Sequence, residues 1–212
     1  MALTSSALRP EARRLCLGLL GGTFDPIHLG HLVIAEEARA RLGLDKVLFI
    51  PAKIPPHKTY GTYAPTRDRL CMVQLALADN PHFGYSCVDL EREGPSFTLD
   101  TLSTIRGQYG PGVELFFILG ADSLVNLKGW HRPQEIIRLA RLVATSRPGY
   151  TVDLAALEVE VPGISQVTEL LTSIEIGISS TDLRARVRRG WPIKYQVPAA
   201  VETYIREHKL YL

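Results

Sequence analysis

Cysteine is scarce in this 212-residue chain: Cys16, Cys71 and Cys87 are the only three, and no two are spaced as Cys-x-x-Cys. An odd count without paired spacing excludes a disulfide framework, and thiols set in apolar stretches read as reduced groups of a cytoplasmic protein. No run approaches the ~20 apolar residues of a membrane span, so no membrane contact is expected. The apolar stretch behind Arg13-Arg14 is shorter than most signal cores, lacks a small-residue cleavage pattern and runs straight into a glycine-rich segment. A charge excess is missing too. With 24 Lys and Arg against 22 Asp and Glu, the net charge is +2, too balanced for a dedicated nucleic-acid binder. Internal repeats and low-complexity tracts are absent. So are a Walker P-loop and the G-x-S-x-G elbow of Ser-His-Asp hydrolases.

What is present is a soluble globular composition, 46% hydrophobic and 22% charged, sufficient for a sizeable core. Residues 1–14 read as a flexible N-terminal extension and residues 15–212 as one domain. Within it, strand-like and helix-like segments alternate. Apolar runs at Leu15 to Leu20, Lys46 to Ile50, Phe83 to Val88, Val113 to Leu119, Arg141 to Thr145 and Ile174 to Ile178 predict strands. Helical spacing after Leu29 (Leu32, Ala35, Ala38, Leu42) recurs over Arg67–Ala78, Thr98–Gln108, Pro133–Leu139, Ser180–Arg189 and Val197–His208. Asp153 to Ser173 shows no firm period. Near-continuous apolar strands separated by helices predict a single doubly wound, Rossmann-like α/β domain with a mostly parallel sheet. Ligands are expected beyond the carboxyl ends of its strands.

The most informative segment lies at such an end: Gly21-Gly22-Thr23-Phe24-Asp25-Pro26-Ile27-His28-Leu29-Gly30-His31. Glycines let backbone approach a ligand, and amides at a helix start attract anions. His28 and His31, three residues apart, share one face. Phosphate held between amides and paired imidazoles is the simplest chemistry for this arrangement. A metal site is not expected, because no Cys or third His stands at ligand spacing from the two. A second helix start, Ile178-Ser179-Ser180-Thr181-Asp182-Leu183-Arg184, offers hydroxyl caps and an arginine one turn inward. A third group is Gly120-Ala121-Asp122 through Leu127 to Trp130, with a carboxylate past a strand end and a loop indole suited to a flat ring. Pro55-Pro56-His57-Lys58 places a cation beyond the second strand, and Thr98 opens a helix in Ser96-Phe97-Thr98-Leu99-Asp100-Thr101-Leu102.

Taken together, these motifs resemble those of the bacterial nicotinate mononucleotide adenylyltransferases, in the nucleotidyltransferase superfamily with the HxGH motif. The resemblance runs through GTFDPxHxGH, PPHK, SFTxDTL (Phe97 replacing the family's Tyr), GADxxxxLxxW and ISSTxxR, in family order, and covers essentially everything after Arg14. It implies adenylyl transfer from ATP to nicotinate mononucleotide, with Mg²⁺ carried mainly by phosphates and water. It also implies site roles. Gly22, Thr23, His28, His31, Ser179, Ser180, Thr181 and Arg184 would bind ATP, with His28 and His31 acting in catalysis. Lys58, Thr98, Asp122, Trp130 and His131 would bind the mononucleotide. Two other readings compete: phosphopantetheine adenylyltransferase, which shares the histidine turn but tends to lack the GAD…W and PPHK features, and a dinucleotide-sensing module without turnover. The chain fits a homo-oligomer as well as a monomer.

Overall fold

The computed structural model describes residues 13–55, 62–145, 151–172 and 176–212. Most of the expected N-terminal extension, and Pro56 to Lys58 of the PPHK loop, lie outside the described residues.

In chain order the elements are β1 (Cys16–Gly22), α1 (Leu29–Leu42), β2 (Lys46–Pro51), α2 (Thr66–Leu77), β3 (Phe83–Tyr85), α3 (Val88–Glu91), α4 (Thr98–Tyr109), β4 (Glu114–Gly120) and α5 (Ala121–Val125). Then follow α6 (Pro133–Leu139), β5 (Arg141–Thr145), α7 (Leu154–Glu160), α8 (Ile164–Val167), β6 (Thr168–Leu171), α9 (Ser180–Arg188) and α10 (Ala199–Glu207). Among the described residues the strands form one sheet in the order β3-β2-β1-β4-β5-β6. Every neighbouring pair is parallel. The order reverses between β1 and β4, which opens the crevice where doubly wound folds bind ligands.

Alternation along the strands divides the core between two faces. Leu20, Phe49, Ile118 and Val143 point to one apolar cluster, shared with α1, α2 and α10 through Ala35, Met72 and Val201. Leu19, Ile50, Phe117 and Leu142 point to the other, shared with α4 and α6 through Leu102 and Ile136. Strands buried on both faces read as continuous apolar runs, which is why they are visible in the sequence.

Three expectations are corrected. The strand expected at Phe83 to Val88 stops at Tyr85, and Val88 opens a short helix. The segment without a period, Asp153 to Ser173, holds α7, α8 and the edge strand β6. The strand expected at Ile174 to Ile178 is not there over its described part, residues 176–178. Ser179 therefore follows a loop rather than a strand.

Candidate active site

The site grows from the β1–α1 turn. Phe24 adopts φ 50°, so the chain turns sharply after Thr23. Gly22 makes that turn feasible, since a Cβ there would sit 2.8 Å from the Phe24 ring. The turn ends at His28, the N-cap of α1, in extended geometry. His28 N–H donates to His31 Nδ1 at 3.1 Å, so a neutral His31 carries its proton on Nε2. The two imidazoles stack at 3.7 Å between centroids, and the Phe24 ring meets His31 edge-on at 5.1 Å. His28 is buried at 7% exposure. Gly30 lies beneath it: a Cβ there would stand 3.0 Å from His28 Nδ1. No acidic residue occupies the first turn of α1, which leaves its positive dipole end available to an anion.

Beside this turn is a cavity of about 260 Å³ lined by Gly22, Thr23, Thr98, Thr101, Asp89 and Trp130, among others. The fold thus brings the first, third and SFTxDTL motifs to one cleft at the β1/β4 reversal. Trp130 is half-buried, and its indole stands edge-on to Phe117 at 6.1 Å. Asp122, in the first turn of α5, borders an adjoining cavity of about 390 Å³, and Trp130 and Ser123 line both cavities. His131 is exposed, with its ring stacked on Phe97 at 4.6 Å. That stack ties the loop after Trp130 to the start of α4. Phenylalanine serves it as well as tyrosine.

α9 closes the other side. Ser179 caps it, accepting from Asp182 N–H at 3.1 Å. Ser180 Oγ donates to the Pro26 carbonyl at 2.9 Å, so the second motif is bolted to the first. Ile176 Cγ2 comes within 3.8 Å of where a Gly30 Cβ would stand. Thr181 is exposed. Arg184 is buried, at 6% exposure. It donates to the Asp25 carbonyl at 2.7 Å and to Thr181 Oγ1 at 3.3 Å. The Tyr63 ring covers its guanidinium at 4.1 Å, and its Nε has no partner among the described residues. A guanidinium with five donors can hold the turn and still address an anion.

Several residues that hold this turn escape sequence reasoning. Asp25, 1% exposed, accepts from Tyr63 N–H at 2.7 Å, Ala64 N–H at 3.1 Å and Tyr211 Oη at 2.8 Å. Arg69 is fully buried in α2 and donates to the Thr23 carbonyl at 2.7 Å. Burial pulls its guanidinium below the ordinary arginine value, with Asp25 opposing. Burial, and then Asp25, pushes the Tyr211 hydroxyl up, so it stays a donor. Arg69 did leave a signal: it shares a helical stripe with Met72, Val73 and Ala76, where a charge is out of place.

Comparison with known proteins agrees with this geometry. The cytidylyltransferase-like family matches residues 19–186. The chain is 47% identical over 195 residues to a "Probable nicotinate-nucleotide adenylyltransferase" of Dehalococcoides mccartyi, covering 92% of this chain and 96% of that protein. To the protein of the same name from Roseiflexus sp. it is 50% identical over 196 residues, covering 92% and 97%. The fold is similar to that of Plasmodium falciparum nicotinic acid mononucleotide adenylyltransferase complexed with NaAD. There the TM-score is 0.73 at 18% identity, over 93% of this chain and 97% of that one. Histidine turn, cleft and relatives point the same way: the chain belongs to the cytidylyltransferase-like family and, within it, to the nicotinate-nucleotide adenylyltransferases.

Proposed function

We propose that this protein transfers the adenylyl group of ATP to nicotinate mononucleotide, giving nicotinate adenine dinucleotide and pyrophosphate. The observation that carries the reading is the stacked His28–His31 pair at the start of α1, set beside a cavity that also has Thr98 and Trp130 in its wall. An oxygen of the mononucleotide 5′-phosphate attacks the α-phosphorus of ATP in line. The new P–O bond forms as the bond from the α-phosphorus to the β-phosphate oxygen breaks. No covalent nucleophile is needed; positioning and charge stabilisation supply the rate. His28, His31, Thr23 and the Gly22 backbone meet the phosphates where charge shifts. Ser179, Ser180, Thr181 and Arg184 take the β- and γ-phosphates. ATP enters as its Mg²⁺ complex. Phosphates and water carry the ion.

At the other end, Trp130 stacks on the pyridine ring. Thr98 and the amides near Trp130 and His131 receive the nicotinate carboxylate, while Asp122 takes ribose hydroxyls. Amide donors favour the acid over the carboxamide, whose NH₂ leaves some of them unpaired. Among the described residues no helix is long and apolar enough to cross a membrane, which suits a cytoplasmic place of action.

The test is incubation of the purified protein with ATP, Mg²⁺ and, separately, nicotinate mononucleotide, its amide and phosphopantetheine. Pyrophosphate release with the acid, at higher kcat/KM than with the amide, is expected. Release only with phosphopantetheine, or none at all, overturns the reading.

A further inference from the structure

Asp89 is out of place for its chemistry. It sits in α3 at 6% exposure, yet it lines the same cavity as Thr98 and Trp130. An acid in the wall of a pocket proposed to take a carboxylate needs a reason. Its Oδ1 accepts from Thr101 Oγ1 at 2.6 Å and meets Arg92 Nη2 at 3.4 Å. Ser96, whose Oγ accepts from the amides of Lys53 and Ile54, also favours its charged form. The carboxylate is therefore fixed in direction by α4 and by the loop before it. Arg92 and Asp100 are the other charged groups that act on it.

The pyridine nitrogen of a mononucleotide is bonded to the ribose carbon. Its ring is a permanent cation that no proton loss can neutralise. Placing that cation in a buried cleft is costly unless an opposite charge waits there. We propose that Asp89 is the counter-ion of the pyridinium ring, so that the pocket selects mononucleotides whose base carries a positive charge. This rests on the mononucleotide reading above. Trp130 offers the cation a ring face, and Asp89 offers it a fixed negative charge. Burial holds the Asp89 carboxyl above its ordinary value, so a cation placed beside it favours the charged form. The carboxylate of the substrate goes to Thr98 and to the amides near Trp130 and His131.

The test compares nicotinamide mononucleotide with its 1,4-dihydro form, which is nearly the same shape but has a neutral ring. Turnover of nicotinate mononucleotide by the wild type is established first; its absence would defeat the functional reading rather than this one. Calorimetric affinities for both probes are then measured for the wild type, Asp89→Asn and Asp89→Glu. The wild type should prefer the oxidised form by about tenfold or more, the scale of one partly screened charge pair. Asp89→Asn keeps an acceptor for Thr101 and should bring the two affinities close together, while Asp89→Glu retains the preference. A wild type indifferent to ring charge overturns the proposal even if no variant folds. An Asn variant with the wild-type ratio overturns it as well.

Discussion

His31 shows how much a single side chain is asked to do. Its Nδ1 is occupied by the His28 amide, so its chemistry toward a phosphate falls to the Nε2 side. Loss of one donor aimed at developing charge costs about 2.7–4 kcal/mol, or 10²–10³ in rate. His31→Ala should lower kcat by that factor with far less change in ATP affinity; a folded variant with near-normal turnover refutes the role. Asp89 makes a second prediction, on stability. Burial raises its pKa above the ordinary 3.8, so the folded state binds a proton more readily than the unfolded one. Its contribution to stability is then greatest in acid and is lost as pH rises through the raised value. Asp89→Asn removes that loss. The variant should melt higher than the wild type at pH 7, and the gap should close toward pH 4. Thermal melts at the two pH values decide it, and a variant less stable at pH 7 contradicts the sign.

Among the elements, α1 carries the most consequence for the site. Its start is held by Gly30 under the His28 ring, and a helical glycine costs about 1 kcal/mol against alanine. Gly30→Ala should leave the melting temperature unchanged or raise it, while kcat falls at least tenfold because the Cβ displaces the His28 ring from its stack. Equal loss of activity and stability would show instead that the helix itself is damaged. Much of this layer is legible in the sequence. β2 and β4 announce themselves because both their faces are covered, and Thr98 and Trp130 because short motifs carry them. β6 does not. As an edge strand with Glu169 and a half-exposed Leu170, it has no apolar run to betray it. Asp89 and Tyr211 are also silent, since their meaning lies in partners brought near by the fold: Thr101 on another helix for one, Asp25 for the other.

At the scale of the whole molecule, Asp25 joins four parts of the chain. Its carboxylate binds the segment before α2 and the residue Tyr211 beyond α10, while its carbonyl takes Arg184 of α9. A hydrogen bond to a charged group contributes about 1.5–3 kcal/mol. Tyr211→Phe should therefore lower unfolding free energy by that order in urea titration and raise the KM for ATP, through looser placement of Arg184 and the turn. Unchanged stability would show that the hydroxyl bond is idle. The distances along the chain matter as well as those in space: 159 residues separate Asp25 from Arg184 and 186 separate it from Tyr211. Contacts so remote in sequence close after local ones, because the loop entropy must be overcome first. The catalytic turn, though built from some of the earliest residues, is thus among the last parts to acquire its form in refolding. The amide of Leu29, which closes the turn by donating to the distant Gln196 carbonyl at 3.0 Å, is its reporter. In pulse-labelled hydrogen exchange it should gain protection after the β1–β4 ladder does, and binding activity should return with it rather than with the sheet.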